Sequence, residues 1–307
     1  MGFQQALEKK QFTITAEIAP PKGTDVSKML AHADKLKGRV HGINVTDNQS
    51  SVMRLGSLAA CHLLKEEGFD PIYQITCRDR NRLALQSDLL SASVLGIRNV
   101  LVLTGDHTKV GDHPQAKPVF DLDSTQLLQV IGRLNEGRDF STRSMANKPL
   151  PNGTALEGST DLFPGAMVNP EASPLEPHLV RFSKKVAAGA RFFQTQAIYD
   201  LTKFERFMKY ANDLSATILA GILLLRSAGM ARYLNQNVPG VTVPDHLIKE
   251  LESSADPLEA GIRIASRQIQ KVQGMCAGVH IMAIGLEGKI PAILDGAGLT
   301  NQETEIH

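Results

Sequence analysis

Residues 100–107 read VLVLTGDH. The aliphatic run has no polar alternation, which is the pattern of a strand covered on both faces. It stops at Thr104, Gly105 and Asp106, and a Gly-Asp pair suits a turn. Upstream, RLALQSDLLSASVLG reads as a helix closed by a glycine. Downstream, STQLLQVIGRLNEG (124–137) reads as a helix with Ser124 as its N-cap. A buried strand between two amphipathic helices is the unit of an α/β fold.

The unit repeats in both directions. FTITAEI (12–18) reads as a strand, and VSKMLAHADKL as a helix that Asp25 can cap. GINVT (42–46) and PIYQITC (71–77) are strands around the helix LGSLAACHLLKEEG, which ends at Gly68. Beyond residue 161 come LFPGAMV, RFFQTQ, ATILAGILLL and GVHIMAIG as strands. Helical stretches alternate with them: LEPHLVRFSKKVAAG, LTKFERFMKYANDL, SAGMARYLNQ, PLEAGIRIASRQIQKVQG and KIPAILDGA, with a polar insert after SAGMARYLNQ. Such alternation predicts parallel strands with right-handed crossovers. Eight strands, each followed by at least one helical stretch, over residues 1–307 predict a single-domain (β/α)8 TIM barrel. No GxGxxG follows a strand, which argues against a dinucleotide-binding open sheet. Residues 138–161 form a polar loop insertion and a candidate partner-contact segment.

Composition narrows the function. Hydrophobic residues make up 42% of the chain and charged residues 21%, ample for a globular core. The net charge of +1 creates no field to attract nucleic acid or an anionic membrane, and 4 Tyr with no Trp offer little for stacking on bases. The 3 cysteines, Cys61, Cys77 and Cys276, are too far apart for a metal-binding spacing or a disulfide framework. A reduced, cytoplasmic setting with no metal is therefore expected. The loop carrying His107, Asp112 and His113 is too irregular to read as a metal site. MGFQQALEKKQF lacks the features of a signal peptide, and no apolar stretch has membrane-spanning length.

In a TIM barrel the site lies at the C-terminal ends of the strands. Here those ends carry Glu17; Asn44, Thr46, Asp47 and Asn48; Gln74, Thr76 and Cys77; Thr104, Gly105 and Asp106; Asn169; Gln194 and Gln196; and His280. Singly, each has an ordinary reading. Glu17 suits a solvated carboxylate, Asp106 a turn, Gln196 a lumen amide, His280 a satisfied interior histidine, and Lys184 and Lys185 a solvated helix face. Glu17, however, shares a lumen phase with Thr13 and Thr15, and Pro20 and Pro21 stiffen the turn after it. Its functional reading is a general acid. These residues predict a polar mouth and name no substrate.

Several blocks carry a resemblance: TAEIAPPKGTD, GINVTDN, ITCRDRNRLALQSDLL, LGIRNVLVLTGD, VFDLDS, GAMVNPEA, KKVAAGARFFQTQAIYD and GIL. In joint order and spacing they resemble the methylenetetrahydrofolate reductase family, from about residue 10 to about 225 and more weakly to 290. The chain is similar to short forms from anaerobic, acetogen-type folate pathways. The resemblance implies a flavin-dependent barrel that interconverts 5,10-methylenetetrahydrofolate and 5-methyltetrahydrofolate by hydride transfer. It implies Glu17 as catalytic acid and Asp106 as the carboxylate beside flavin and pterin, both touching substrate together with Gln196. It places Thr46, Gln74, Thr104, Gly105, Asp106, Asp121 and Asp123 at flavin-site positions. It does the same for Gly165, Asn169, Ala172, His178, Arg181, Lys184 and Lys185, with Lys185 as a phosphate contact.

FAD is the first expectation for the flavin and FMN the alternative. Electrons are expected from NAD(P)H or from a partner subunit bearing iron–sulfur or zinc, so an oligomer or hetero-complex is expected. The chain also departs from the family pattern. Gln74 stands where the family often has histidine, Thr104 where it often has arginine, and Gly165 where it often has tyrosine. His178 and Arg181 replace other polar residues, and LLLRSAGMARYLN has no evident stacking aromatic after strand seven. NVTDNQSS also resembles the Asn-Val-Thr-Pro-Asp-Ser segment of dihydropteroate synthase-like barrels and corrinoid methyltransferases. A redox-free pterin-binding barrel is thus the alternative, although that segment sits there on the first strand and here on the second.

Overall fold

In the computed structural model, which describes residues 1–238 and 240–299, eight parallel strands close into a barrel in chain order. They are β1 (Thr13–Ile18), β2 (Gly42–Val45), β3 (Pro71–Thr76), β4 (Asn99–Leu103), β5 (Phe163–Val168), β6 (Phe192–Ala197), β7 (Ile218–Leu223) and β8 (Gly278–Met282). β1 pairs with β2 on one side and with β8 on the other, so no edge remains. The fold is the (β/α)8 barrel that the alternation predicts.

The helices are α1 (Phe3–Glu8), α2 (Ser27–Asp34), α3 (Ser57–Glu66), α4 (Arg82–Val94), α5 (Ser124–Asn135), α6 (Glu176–Ala187), α7 (Leu201–Asp213), α8 (Ala228–Asn237), α9 (Asp245–Ser253), α10 (Pro257–Val272) and α11 (Ile290–Gly296). Two of these go beyond the sequence reading. α1 spans only six residues, too few for periodicity to register. α9 lies in the stretch read as a polar insert, yet it buries Leu247, Ile248 and Leu251, spaced as one helix face. Among the described residues no helix is long and apolar enough to cross a membrane.

The N-cap of α5 also differs from expectation. Asp123, not Ser124, caps the helix. Its Oδ1 accepts from Gln126 N at 2.8 Å, and Gln126 Oε1 accepts from Asp123 N at 2.9 Å. This reciprocal capping box is worth about 1 kcal/mol. Ser124 is buried instead and accepts from Thr104 Oγ1 at 3.2 Å.

The lumen is layered. At its base, Phe3 of α1 enters the barrel and meets Phe192 edge-on, with ring centroids 4.8 Å apart. Ile72, Leu101, Phe163 and Leu219 complete that apolar plug. Above it lies a buried polar layer of Thr15, Asn44, Gln194 and His280. Gln194 Nε2 donates to Thr15 Oγ1 at 3.3 Å, and Thr15 Oγ1 lies 3.0 Å from His280 Nδ1. Thr15 therefore faces the lumen, as its phase with Glu17 predicts. Outside the strands, the helices pack around Val100, Val102, Leu127 and Ile131, among others, in a large apolar cluster, with a second cluster around Leu234, Leu251 and Ile264 of α8, α9 and α10.

Residues 138–161 join α5 to β5. Asp139 Oδ1 organises them by accepting from Ser141 N at 3.1 Å, Ser141 Oγ at 2.7 Å and Thr154 N at 2.6 Å. An antiparallel bridge pairs Arg143 with Pro149, and Met145 between them is fully exposed.

Candidate functional site

A cavity of about 320 Å³ opens at the C-terminal ends of the strands. It brings together Glu17, Gln74, Thr104, Gly105, Asp106 and Gln196 from different strands or the turns after them. Gln49, Arg78 and His280 share its lining.

Glu17 sits near the end of β1, with only 13% of its side chain exposed. Its Oε1 accepts from Gln49 Nε2 at 3.0 Å and its Oε2 from Gln74 Nε2 at 3.3 Å. His280 Nε2 lies 3.7 Å from Oε2. The carboxyl is thus flanked by two amides that donate hydrogen bonds to it and by an imidazole.

Asp106 projects from the turn after β4 and is exposed. The backbone before it explains why the strand stops at glycine. Gly105 has φ +91, and a Cβ there would stand 3.1 Å from the Cβ atoms of both Thr76 and Arg78. Only glycine lets the chain cross β3 so closely and turn Asp106 into the mouth.

Arg78, like Gln49, is a cavity residue that the sequence reading passed over. Its side chain is 2% exposed. Nε and Nη2 donate to Asp79 at 2.8 and 2.7 Å, Nη1 to Asp106 O at 3.3 Å, and Nη2 also to Asn48 O at 3.3 Å. One guanidinium therefore ties together the turns after β2, β3 and β4. Burial works against its charge, but the Asp79 carboxylate outweighs that and holds it firmly cationic. Asp47, beside it, accepts from Thr76 N and Oγ1, each at 2.9 Å, and from Arg80 Nη1 at 2.8 Å. The only sequence signal was the run of charges in CRDRNR directly after a strand.

The remaining expected residues fall into two groups. Asn169, Ala172 and Lys185 follow the end of β5. Asn169 donates to Gly240 O at 3.2 Å and accepts from Glu171 N at 3.0 Å. Ala172 is buried in the same turn. Lys185 reaches from α6 to donate to Met167 O at 2.8 Å, and Met167 lines the cavity. Burial pulls the Lys185 ammonium below the ordinary lysine range, with Asp123 acting the other way.

None of these three lines the cavity itself, and neither does any residue of the second group. Thr46 is buried at the end of β2, and its Oγ1 has no hydrogen-bond partner among the described residues. Asp121 holds Arg82 at 2.8 and 3.0 Å, and that guanidinium pulls its carboxyl down to about 2. Asp123 caps α5. Gly165 lies deep in the barrel, where the Phe192 ring fills the space a side chain would need. On α6, Arg181 and Lys184 are exposed and His178 is half-buried.

The profile of the methylenetetrahydrofolate reductase family matches residues 2–298. The chain belongs to the methylenetetrahydrofolate reductase family. A probable methylenetetrahydrofolate reductase (NADPH) of Caenorhabditis elegans is 23% identical over 320 residues, covering 98% of this chain and 44% of the nematode protein. A 5,10-methylenetetrahydrofolate reductase of Pectobacterium carotovorum subsp. carotovorum is 25% identical over 229 residues, covering 72% of this chain and 68% of its own. The chain thus spans less than half of the nematode relative's length. Among solved structures, an uncharacterized protein from Clostridium thermocellum that binds two copies of 5-methyl-5,6,7,8-tetrahydrofolic acid shares the fold. Its TM-score is 0.66 at 15% identity, over 97% of this chain and 99% of the other.

Members of a reductase family need a place for a redox cofactor, and one feature of this chain suits a flavin. Lys185 offers a desolvated ammonium at the end of β5, suited to a phosphate.

Proposed function

We propose that the chain is a flavin-dependent oxidoreductase that interconverts 5,10-methylenetetrahydrofolate and 5-methyltetrahydrofolate. The observation that carries this reading is the convergence of Glu17 and Asp106 on one cavity at the barrel mouth. When bound, the reduced flavin supplies the hydride. Glu17 donates a proton to the folate nitrogen that leaves as the five-membered ring opens. The Asp106 carboxylate stabilises the cationic iminium carbon that results. Gln196 orients the pterin through its amide, and Gln74 fixes the second oxygen of Glu17. Lys185 neutralises a cofactor phosphate, with FAD preferred over FMN.

We further propose a single (β/α)8 domain, cytoplasmic, with electrons arriving from NAD(P)H or from a partner subunit bearing iron–sulfur or zinc. The 138–161 insertion, with its exposed Met145, is the segment offered to such a partner.

The test is an absorbance spectrum of the purified chain followed by anaerobic addition of 5-methyltetrahydrofolate. A flavin band that bleaches supports both cofactor and substrate, because the reverse reaction needs no external donor. A flavin band that persists points to a partner-dependent site. Absence of flavin after reconstitution with FAD and FMN overturns the reading in favour of a redox-free pterin barrel.

A further inference from the structure

We infer that Gln49 is a positioning residue for the acid, an amide that turns over with the protonation state of Glu17. The inference rests on the folate-reducing reading above. A proton donor passes through two forms in each turnover. As a carboxylate, Glu17 only accepts hydrogen bonds; as a carboxyl, it must also donate one. A fixed donor beside it serves the first form and opposes the second. A primary amide serves both, because Nε2 donates and, after a half-turn, Oε1 accepts.

The structure captures the first arrangement, with Gln49 Nε2 3.0 Å from Glu17 Oε1. Space for the half-turn is present as well. Gln49 lines both the mouth and a second cavity of about 290 Å³, which Arg54, His32 and Glu287 also line. Gln49 therefore adjoins open volume besides that of the mouth.

The backbone that carries Gln49 is fixed. Asn48, Ser50 and Ser51 all take left-handed conformations, at φ 45, 54 and 59. Such backbone persists only where its surroundings over-determine it. Here Arg78 Nη2 donates to Asn48 O at 3.3 Å, Arg54 N to Asn48 Oδ1 at 2.9 Å, and Met53 N to Asp112 Oδ1 at 3.1 Å. Asp112 is in turn paired with Lys22. With the main chain pinned, motion is left to the side-chain torsions, and the amide stays at a constant reach from the acid.

In the folate step the Glu17 O–H bond breaks and an N–H bond forms on the leaving nitrogen, which keeps the electron pair of its broken C–N bond. The carboxylate left behind takes the Gln49 N–H. Solvent at the cavity mouth returns the proton, and Gln49 then offers Oε1. The other groups facing this exchange are Gln74 of β3 and His280 of β8, with Asp47, Arg78 and Asp106 lining the same cavity.

Two variants test the inference, each assayed by bleaching of the flavin with 5-methyltetrahydrofolate and, as a control for folding and cofactor, by flavin reduction with an artificial donor. Gln49→Leu keeps the shape and removes both donor and acceptor. The folate half-reaction should slow about tenfold, with the artificial-donor rate and the folate Kd unchanged. Gln49→Glu sets a second carboxyl against Glu17, and two such groups share one proton. The pH profile of the folate half-reaction should move up by about one unit. A Gln49→Leu protein whose flavin bleaches with 5-methyltetrahydrofolate at the wild-type rate overturns the inference, as does a Gln49→Glu profile that stays in place. Wild-type protein that fails to bind 5-methyltetrahydrofolate overturns the folate reading itself, and this inference with it.

Discussion

Asn44 and Gln194 exchange two hydrogen bonds across the lumen, 2.8 Å from Asn44 Nδ2 to Gln194 Oε1 and 3.0 Å from Gln194 Nε2 to Asn44 Oδ1. Both side chains are fully buried. The pair links β2 to β6, on opposite sides of the ring of strands. Through Thr15 it also steadies His280, which faces Glu17. The polar mouth therefore stands on a satisfied polar floor, with the aromatic plug packed below it.

Such a pair makes an unequal prediction. Gln194→Leu leaves the Asn44 amide buried and unpartnered, and should cost about 1–3 kcal/mol of stability. Asn44→Leu should cost a similar amount for the same reason. The double variant removes both amides and should cost clearly less than the sum. Urea unfolding of the four proteins measures this, and additive losses would mean that the two amides act independently.

The acid assignment is tested by Glu17→Gln. The amide occupies the same space but cannot deliver a proton. Folate reduction should fall by about 10²–10⁴-fold. Flavin content and flavin reduction by an artificial donor should stay as in the wild type. Folate reduction at the normal rate would return Glu17 to a solvated strand end.

The barrel was legible because buried parallel strands and their helices carry different periods, and every strand from FTITAEI to GVHIMAIG kept its own. The strand ends then pointed to Glu17, Gln74, Asp106 and Gln196, since a closed barrel must bring them to one rim. What escaped were residues whose meaning depends on a neighbour. Arg78 reads as one charge among several until Asn48 and Asp106 are seen to lend it their carbonyls. Gly165 gives no hint in sequence that the Phe192 ring fills the space beside it. α1 is too short to show a period, yet its Phe3 closes the barrel floor. Asp123 and Ser124 are both good cap residues, and only the reciprocal bond with Gln126 chooses between them.

Asp106 places a negative charge at the mouth, and that charge acts on any flavin beside it. A carboxylate disfavours the anionic reduced form, so Asp106→Asn should raise the flavin potential by tens of millivolts, where about 30 mV is 1.4 kcal/mol for two electrons. Folate reduction should slow at the same time, because the cationic iminium loses its counter-charge. Redox titration against a reference dye gives the first result and stopped-flow absorbance the second. No change in either would leave Asp106 as a turn residue.

Lys185 makes a prediction whose sign is set by its burial. Its ammonium is desolvated, which lowers its proton affinity from the ordinary value of 10.5. An anionic cofactor group binds the charged form, so affinity holds at neutral pH and falls once the amine loses its proton. Because that proton affinity is lowered, the fall should begin below pH 10.5. Lys185→Met should weaken flavin binding at neutral pH by about tenfold, the worth of one charge-assisted hydrogen bond. The variant should also show no alkaline fall, having no amine to titrate. Flavin fluorescence titrations across pH distinguish the cases. A variant that binds as tightly as the wild type, or that keeps the same alkaline fall, would move the phosphate-binding role away from Lys185.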